Sequence, residues 1–201
     1  MKKLILTILI GILIFPVAVL RAQQVEASLN QAKAAYSAGN LEEARYALQQ
    51  AMNQVDLALA EEILKLLPAQ MGEMPYTDED ETVGSAAIGF AGLYVSRTYR
   101  SDENTSATLQ VMADSPMLAG LNAILALPMI GSDPDNKRIR LAGYRGLLQK
   151  QEDETGIVTW DLQVPFGASL LSINFEGIND EKKIMEMANT IAVDQIAAML
   201  Q

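Results

Sequence analysis

The chain has 201 residues, half of them hydrophobic, with 25 acidic and 15 basic side chains and a formal net charge of −10. Such a chain is repelled by nucleic acid and by anionic headgroups, and no basic cluster offsets the repulsion. It has no cysteine and no histidine, which removes disulfides, thiol nucleophiles, zinc sites built on thiolate or imidazole, and any Ser-His-Asp triad.

Met1-Lys2-Lys3 opens a positive n-region, and an apolar run follows from Leu4 to Leu20, broken only by Thr7, Gly11 and Pro16. This pattern predicts a secretory signal peptide over 1–22, cleaved after Ala22. Cleavage would also remove Lys2, Lys3 and Arg21, taking the net charge to about −13. The alternative is an uncleaved N-terminal anchor, for which the apolar run is slightly short. The two-lysine start and the Gln-rich segment after it resemble bacterial exported proteins. A periplasmic or secreted protein is therefore expected, with an inner-membrane-anchored one as the alternative.

Residues 23–68 predict a helical hairpin. Ala, Leu, Glu and Gln dominate, proline is absent from Val25 to Leu67, and Gly39 is the single glycine there. Gly39 suits a left-handed cap and Asn40 suits the N-cap of the second helix. In that helix Leu41, Ala44, Leu48, Ala51, Met52, Val55, Leu59 and Ile63 follow three-four spacing, and Pro68 ends it. With Gly39 as the turn glycine, Ala32, Tyr36, Ala44, Leu48 and Ala51 fall on or beside the small and large positions of a repeat. The segment thus resembles a single tetratricopeptide-type repeat of about 34 residues, with Asp56 where the repeat has proline. One repeat leaves its apolar face without a stacked neighbour. The hairpin is then expected to pack on its own C-terminal domain or on another copy of itself, or else to bind a peptide.

Residues 69–84 read as an acidic linker around Thr77-Asp78-Glu79-Asp80-Glu81-Thr82. Carboxylates can hold calcium, but a calcium loop alternates its ligands around a central glycine, so a solvated linker is the better reading. Gly84, Gly89 and Gly92 then lead into a strand. They lack the Lys-Ser or Lys-Thr and the helix of a phosphate loop. Leu93–Tyr99 and Ala107–Ala113 predict a β-hairpin turning at Ser101–Asn104.

Asp114-Ser115-Pro116-Met117 predicts a helix start, with Ser115 as cap. Asn122 is the one polar side chain from Met117 to Leu127, and Pro128 stops the helix before a turn at Ser132–Asn136. A short helix that is apolar all round is buried, or else it offers a face to a second subunit, an apolar ligand or a membrane surface. Leu121 and Leu125 lie four apart on one face, with Leu118 and Ile124 off that line. These four residues, Leu118, Leu121, Ile124 and Leu125, are the candidate binding site, and Leu118 or Ile124 is expected to face outward.

Residues 85–201 predict the main domain. Val158, Trp160, Leu162 and Val164 alternate with polar residues, as do Leu171, Ile173 and Phe175. Period-two alternation marks strands with one buried face and one wet face. Arg138–Tyr144 supplies a further strand, and 180–200 a closing amphipathic helix, capped by Asn179 or Asp180, with Ile184, Met187, Ala188, Ile191, Ile196 and Met199 inward. The expected fold class is α+β: an α-hairpin, then an antiparallel sheet of about five strands with a crossover helix and a C-terminal helix packed on it. With Asp114-Ser115-Pro116-Met117 and Leu141-Ala142-Gly143-Tyr144, this order resembles exported bacterial proteins with a PsbP/Mog1-like α+β sandwich. The resemblance spans about 85–200 and implies a fold but no activity.

Catalysis would have to run on carboxylates. Asp114 and Asp161 are the acids nearest apolar stretches, the first a turn residue and the second on a polar strand face. The sequence has no nucleophile elbow, phosphate loop or metal motif. It therefore predicts no catalytic residue, no cofactor and no metal. The expected function is that of an exported, non-enzymatic envelope protein that binds a protein or apolar ligand. A structural, self-associating protein and a carboxylate-based hydrolase are the alternatives.

Overall fold

A computed structural model describes residues 17–84, 92–115, 117–126, 135–154 and 156–201. The first sixteen residues of the leader, Gly89, Pro116, Pro128 and the start of the turn at 132–134 lie outside these. The chain divides after Gln54 into two compact units.

In the first unit, helix α1 (Val17–Ser37) runs through the predicted cleavage position and turns into α2 (Leu41–Leu66). Gly39 takes φ +77°, open to glycine at little cost. Asn40 Oδ1 accepts from the Glu43 amide at 3.2 Å and caps α2. The hairpin's contact line is made of alanines: Ala32 and Ala35 on α1, and Ala44, Ala47 and Ala51 on α2, are buried. Small side chains let two helix backbones approach, but each buries a single methyl, worth about 0.8 kcal/mol.

The second unit is built on a seven-stranded, fully antiparallel sheet, not one of about five. Its strands are β3 (Glu81–Gly84), β4 (Tyr94–Asp102), β5 (Thr105–Met112), β6 (Asn136–Leu141), β7 (Tyr144–Glu152), β8 (Val158–Phe166) and β9 (Ser169–Glu176), in the order β3-β4-β5-β9-β8-β7-β6. A two-stranded ribbon, β1 (Gln70–Met71) with β2 (Met74–Pro75), and a 3₁₀ turn (Asp78–Asp80) precede β3. The expected linker is therefore structured, and its end joins the sheet as an edge strand. The other edge is β6. Helix α3 (Leu118–Ala126) lies between the inner strand β5 and edge β6 in sequence. The expected single closing helix is two, α4 (Glu181–Ala188) and α5 (Val193–Leu200). The break falls where Asn189 Nδ2 donates to the Met185 carbonyl and Thr190 Oγ1 to that of Met187. Such side chains compete for the carbonyls that would continue the helix.

One face of the sheet carries the core. In register across it lie Tyr99, Ala107, Phe175 and Trp160; then Arg97, Leu109, Ile173, Leu162 and Leu148; then Val95, Val111, Leu171 and Val164. Ala60 and Ile63 from the end of α2 and Leu67 just past it join them, with Ile184, Met187, Ala188, Ile191, Val193, Ile196 and Ala197 from α4, α5 and the turn between them. Asp180 caps α4 by accepting from the Lys182 and Lys183 amides at 2.9 and 3.4 Å.

Candidate functional site

The opposite face of the sheet is polar over most of its width. Thr98, Thr108, Asn174, Asp161, Gln149 and Asn136 stand in one register row across six strands. They bond to one another in pairs: Thr98 with Thr108 at 3.2 Å, Asn174 Nδ2 to Asp161 Oδ1 at 2.7 Å, and Gln149 Nε2 to Asn136 Oδ1 at 2.7 Å. The row is half-buried, and its side chains are partnered among themselves. Asp161, named above as a possible acid, is thus a partner of Asn174.

Helix α3 covers one end of this face. Ser115 Oγ accepts from the Met117 amide at 3.4 Å at its start. Leu121 is buried, and Leu118 and Leu125 pack with it on Met112, Leu147 and Leu170. The spacing 118-121-125 explains this, because steps of three and four keep one helix face. Of the four candidate residues, the structure brings Leu118, Leu121 and Leu125 together against the sheet. Ile124 stands apart, 39% exposed, with Met117 exposed as well. Beyond α3 opens a cleft of about 330 Å³ with Leu125, Asn122, Pro165, Phe166 and Arg145 on its walls. Among the described residues these walls hold apolar surface and one cation, without an acid or a hydroxyl nucleophile.

The most buried charge is one the sequence reading did not single out. Arg97 is 4% exposed on the core face. Its Nε donates to Glu81 Oε1 at 2.8 Å, and its Nη2 donates to the same oxygen and to the Leu64 carbonyl at 2.9 Å. Its Nη1 donates to the carbonyls of Leu67 at 2.9 Å and Pro68 at 3.2 Å. The guanidinium lies 3.9 Å from the centroid of the Tyr76 ring, which meets Tyr99 edge-on. An arginine has five N–H donors, and all five are engaged here, so Arg97 holds the end of α2 and keeps no donor for a ligand. Tyr99 completes the knot by donating to the Pro68 carbonyl at 2.8 Å, and burial pushes its phenol pKa up. The signal was present in the sequence: Val95, Arg97 and Tyr99 share one side of a strand, so an arginine sits among core positions.

Burial, and then the charge of Asp114, raise the pKa of Asp56 on α2. The Thr77 hydroxyl, donating at 2.8 Å, holds Asp80 low, and the Asn104 amide does the same for Asp102. Among the described residues no group of three acids is placed to hold a metal ion.

The hairpin presents the other candidate surface. Nine large apolar residues are exposed among the described ones, and seven of them lie on α1 and α2: Leu29, Tyr36, Leu41, Tyr46, Leu48, Met52 and Val55. The stripe expected on α2 is therefore two stripes. Its alanines form the buried line, and Leu41, Leu48 and Met52 lie exposed about a quarter-turn from it. Among the described residues no helix is long and apolar enough to cross a membrane. Compared with protein-family models, characterised proteins and solved structures, the chain matches none. The tetratricopeptide-like and PsbP/Mog1-like readings therefore stand on the residues that suggested them.

Proposed function

We propose that the protein is an exported, non-enzymatic component of a bacterial envelope that works by docking a protein on its helical hairpin. The observation that carries this reading is the concentration of exposed Leu, Tyr, Met and Val side chains on α1 and α2. Scattered apolar residues need no explanation, but a run of them along one element marks an interaction surface. The leader motif supports export. Tyr36 and Leu48, 70% and 49% exposed, fit the outer positions of a repeat that lacks a stacked neighbour. The binding role moves from α3 to the hairpin because α3 turns three of its four candidate leucine and isoleucine side chains onto the sheet.

The hydrolase alternative finds less support. Two carboxyls acting as acid and base must face one cavity, and the cleft beside α3 has no acid on its described walls. The test is cross-linking in the intact envelope with a tagged chain, wild type against Leu48→Asp. The wild type should give a discrete adduct that the variant lacks. Identical adducts from both chains, or none from either, would sink the docking reading.

A further inference from the structure

Five of the exposed apolar residues of the hairpin fall on a single side of it. At 100° per residue, Leu41, Leu48 and Met52 lie within about 40° of one another, roughly a quarter-turn around α2 from Ala44, Ala47 and Ala51. Leu29 and Tyr36 are seven apart on α1 and lie a similar quarter-turn, in the same rotational sense, from Ala32 and Ala35. The two helices run antiparallel, joined by a short turn and bridged by Gln31 donating to Glu43. Equal rotations on antiparallel helices point to the same side. Tyr46 falls on the opposite side.

This face has the dimensions of an interface. Leu29, Tyr36, Leu41, Leu48 and Met52 are 48–70% exposed. Together they leave on the order of 600 Å² open, at the upper end for a monomer's largest patch and near the roughly 800 Å² per partner of a standard interface. The hairpin also needs it. Its buried line is five alanine methyls, little apolar area for holding two helices together. Most helical stability in proteins comes from packing a large apolar face, and here that face is open. Along α2 the large residues follow a seven-residue seam, Leu41 to Leu48 with Met52 four further on, the spacing by which helices pack on helices.

We infer, building on the docking reading, that a second copy of this chain covers the face, two hairpins closing into a four-helix bundle. Both chemistry and charge favour a copy. A two-fold interface sets a patch against itself, so an apolar seam of uniform width is self-complementary. Around it stand both signs of charge, Lys33 and Arg45 with Glu26 and Glu42, so a two-fold pairing can set unlike charges together. A membrane surface suits the face less well, since residues 22–54 carry three acids and two bases and interfacial helices are rich in cations.

The test uses the purified full chain. Light scattering with size exclusion should give twice the single-chain mass for the wild type and for Tyr46→Asp, which alters the opposite side. Leu48→Asp and Met52→Glu should give the single-chain mass, with near-UV circular dichroism of the sheet unit unchanged. Because the chain has no cysteine, Leu48→Cys supplies a unique thiol that disturbs folding less than a charge. A short bismaleimide should join two such chains and leave Tyr46→Cys single. A wild type of single-chain mass up to high micromolar concentration, with no covalent dimer from Leu48→Cys, overturns the proposal. An envelope adduct with a different chain, lost in Leu48→Asp, would overturn self-pairing while leaving the docking reading in place.

Discussion

The two halves of helix α2 are made of much the same residues and are used in opposite ways. From Leu41 to Gln54 the helix buries alanines and exposes Leu41, Leu48 and Met52. From Val55 onward Ala60 and Ile63 are fully buried, Leu67 just past the helix end is nearly so, and Arg97 ties the Leu64 and Leu67 carbonyls to strand β4. Periodicity alone does not separate them, because both halves repeat every three to four residues. What separates them is what each stripe meets: methyl groups on one helix, or the broad apolar face of a sheet. A helix end held through its carbonyls is also fixed in position, since the last four carbonyls of a helix have no partner within it.

The largest way to break this comparison is at the held end. Arg97→Met removes the cation and takes from Glu81 and the Leu67 carbonyl the donor they share, while the Pro68 carbonyl keeps Tyr99 and that of Leu64 keeps the Leu67 amide. Breaking a buried pair from one side costs about 3–5 kcal/mol, and urea unfolding of the full chain should show a loss of that order. A change under about 1 kcal/mol, the range of exposed ion pairs, would mean that Arg97 does not secure the helix.

A smaller effect is expected at the other half. Ala44→Glu puts a charge into the alanine line, and an unpaired charge there costs several kcal/mol at most of the hairpin's own stability. Circular dichroism at 222 nm should lose helix at a temperature where the near-UV signal of Trp160 is still native. A single unchanged transition would contradict the burial of Ala44.

The smallest effect sharpens the boundary. Asp56 sits just past it, with a pKa raised first by burial and then by Asp114. A raised carboxyl pKa means that the folded state holds its proton better than the unfolded one, so this group's contribution to stability falls as pH rises from about 3.8 through the folded value. Asp56→Asn should therefore raise the melting temperature at pH 7, and the gain should shrink as pH falls and Asp56 takes up its proton. A gain that is constant with pH would assign the effect to something other than charge.

The strands most open to sequence reading were those with one covered face. Val158 to Val164 and Leu171 to Phe175 alternate buried and half-buried residue by residue, as their pattern predicts. Strand β7 hid because its two faces are both covered there: Leu148 enters the core and Leu147 lies under α3, so the alternation vanishes. Its Gly146 is needed where a Cβ would come within 2.7 Å of the Gln163 carbonyl oxygen. Strand β3 hid in the acidic run because the reason for Glu81, a buried arginine sixteen residues on, is not local. For α3 the three-residue step to Leu118 was the missing piece, since that residue joins Leu121 and Leu125 and leaves Ile124 outside.

The borders of the sheet bear on how such a chain avoids trouble at high concentration. Unpaired strand edges are templates for fibrillar aggregation, and natural sheets blunt them with brevity and charge. Strand β3 offers four residues, and β6 carries Lys137, Arg138 and Arg140 within six. A foreign strand laid along β6 would have to desolvate those cations or bring acids to meet them. Sheet extension is thereby discouraged at both borders.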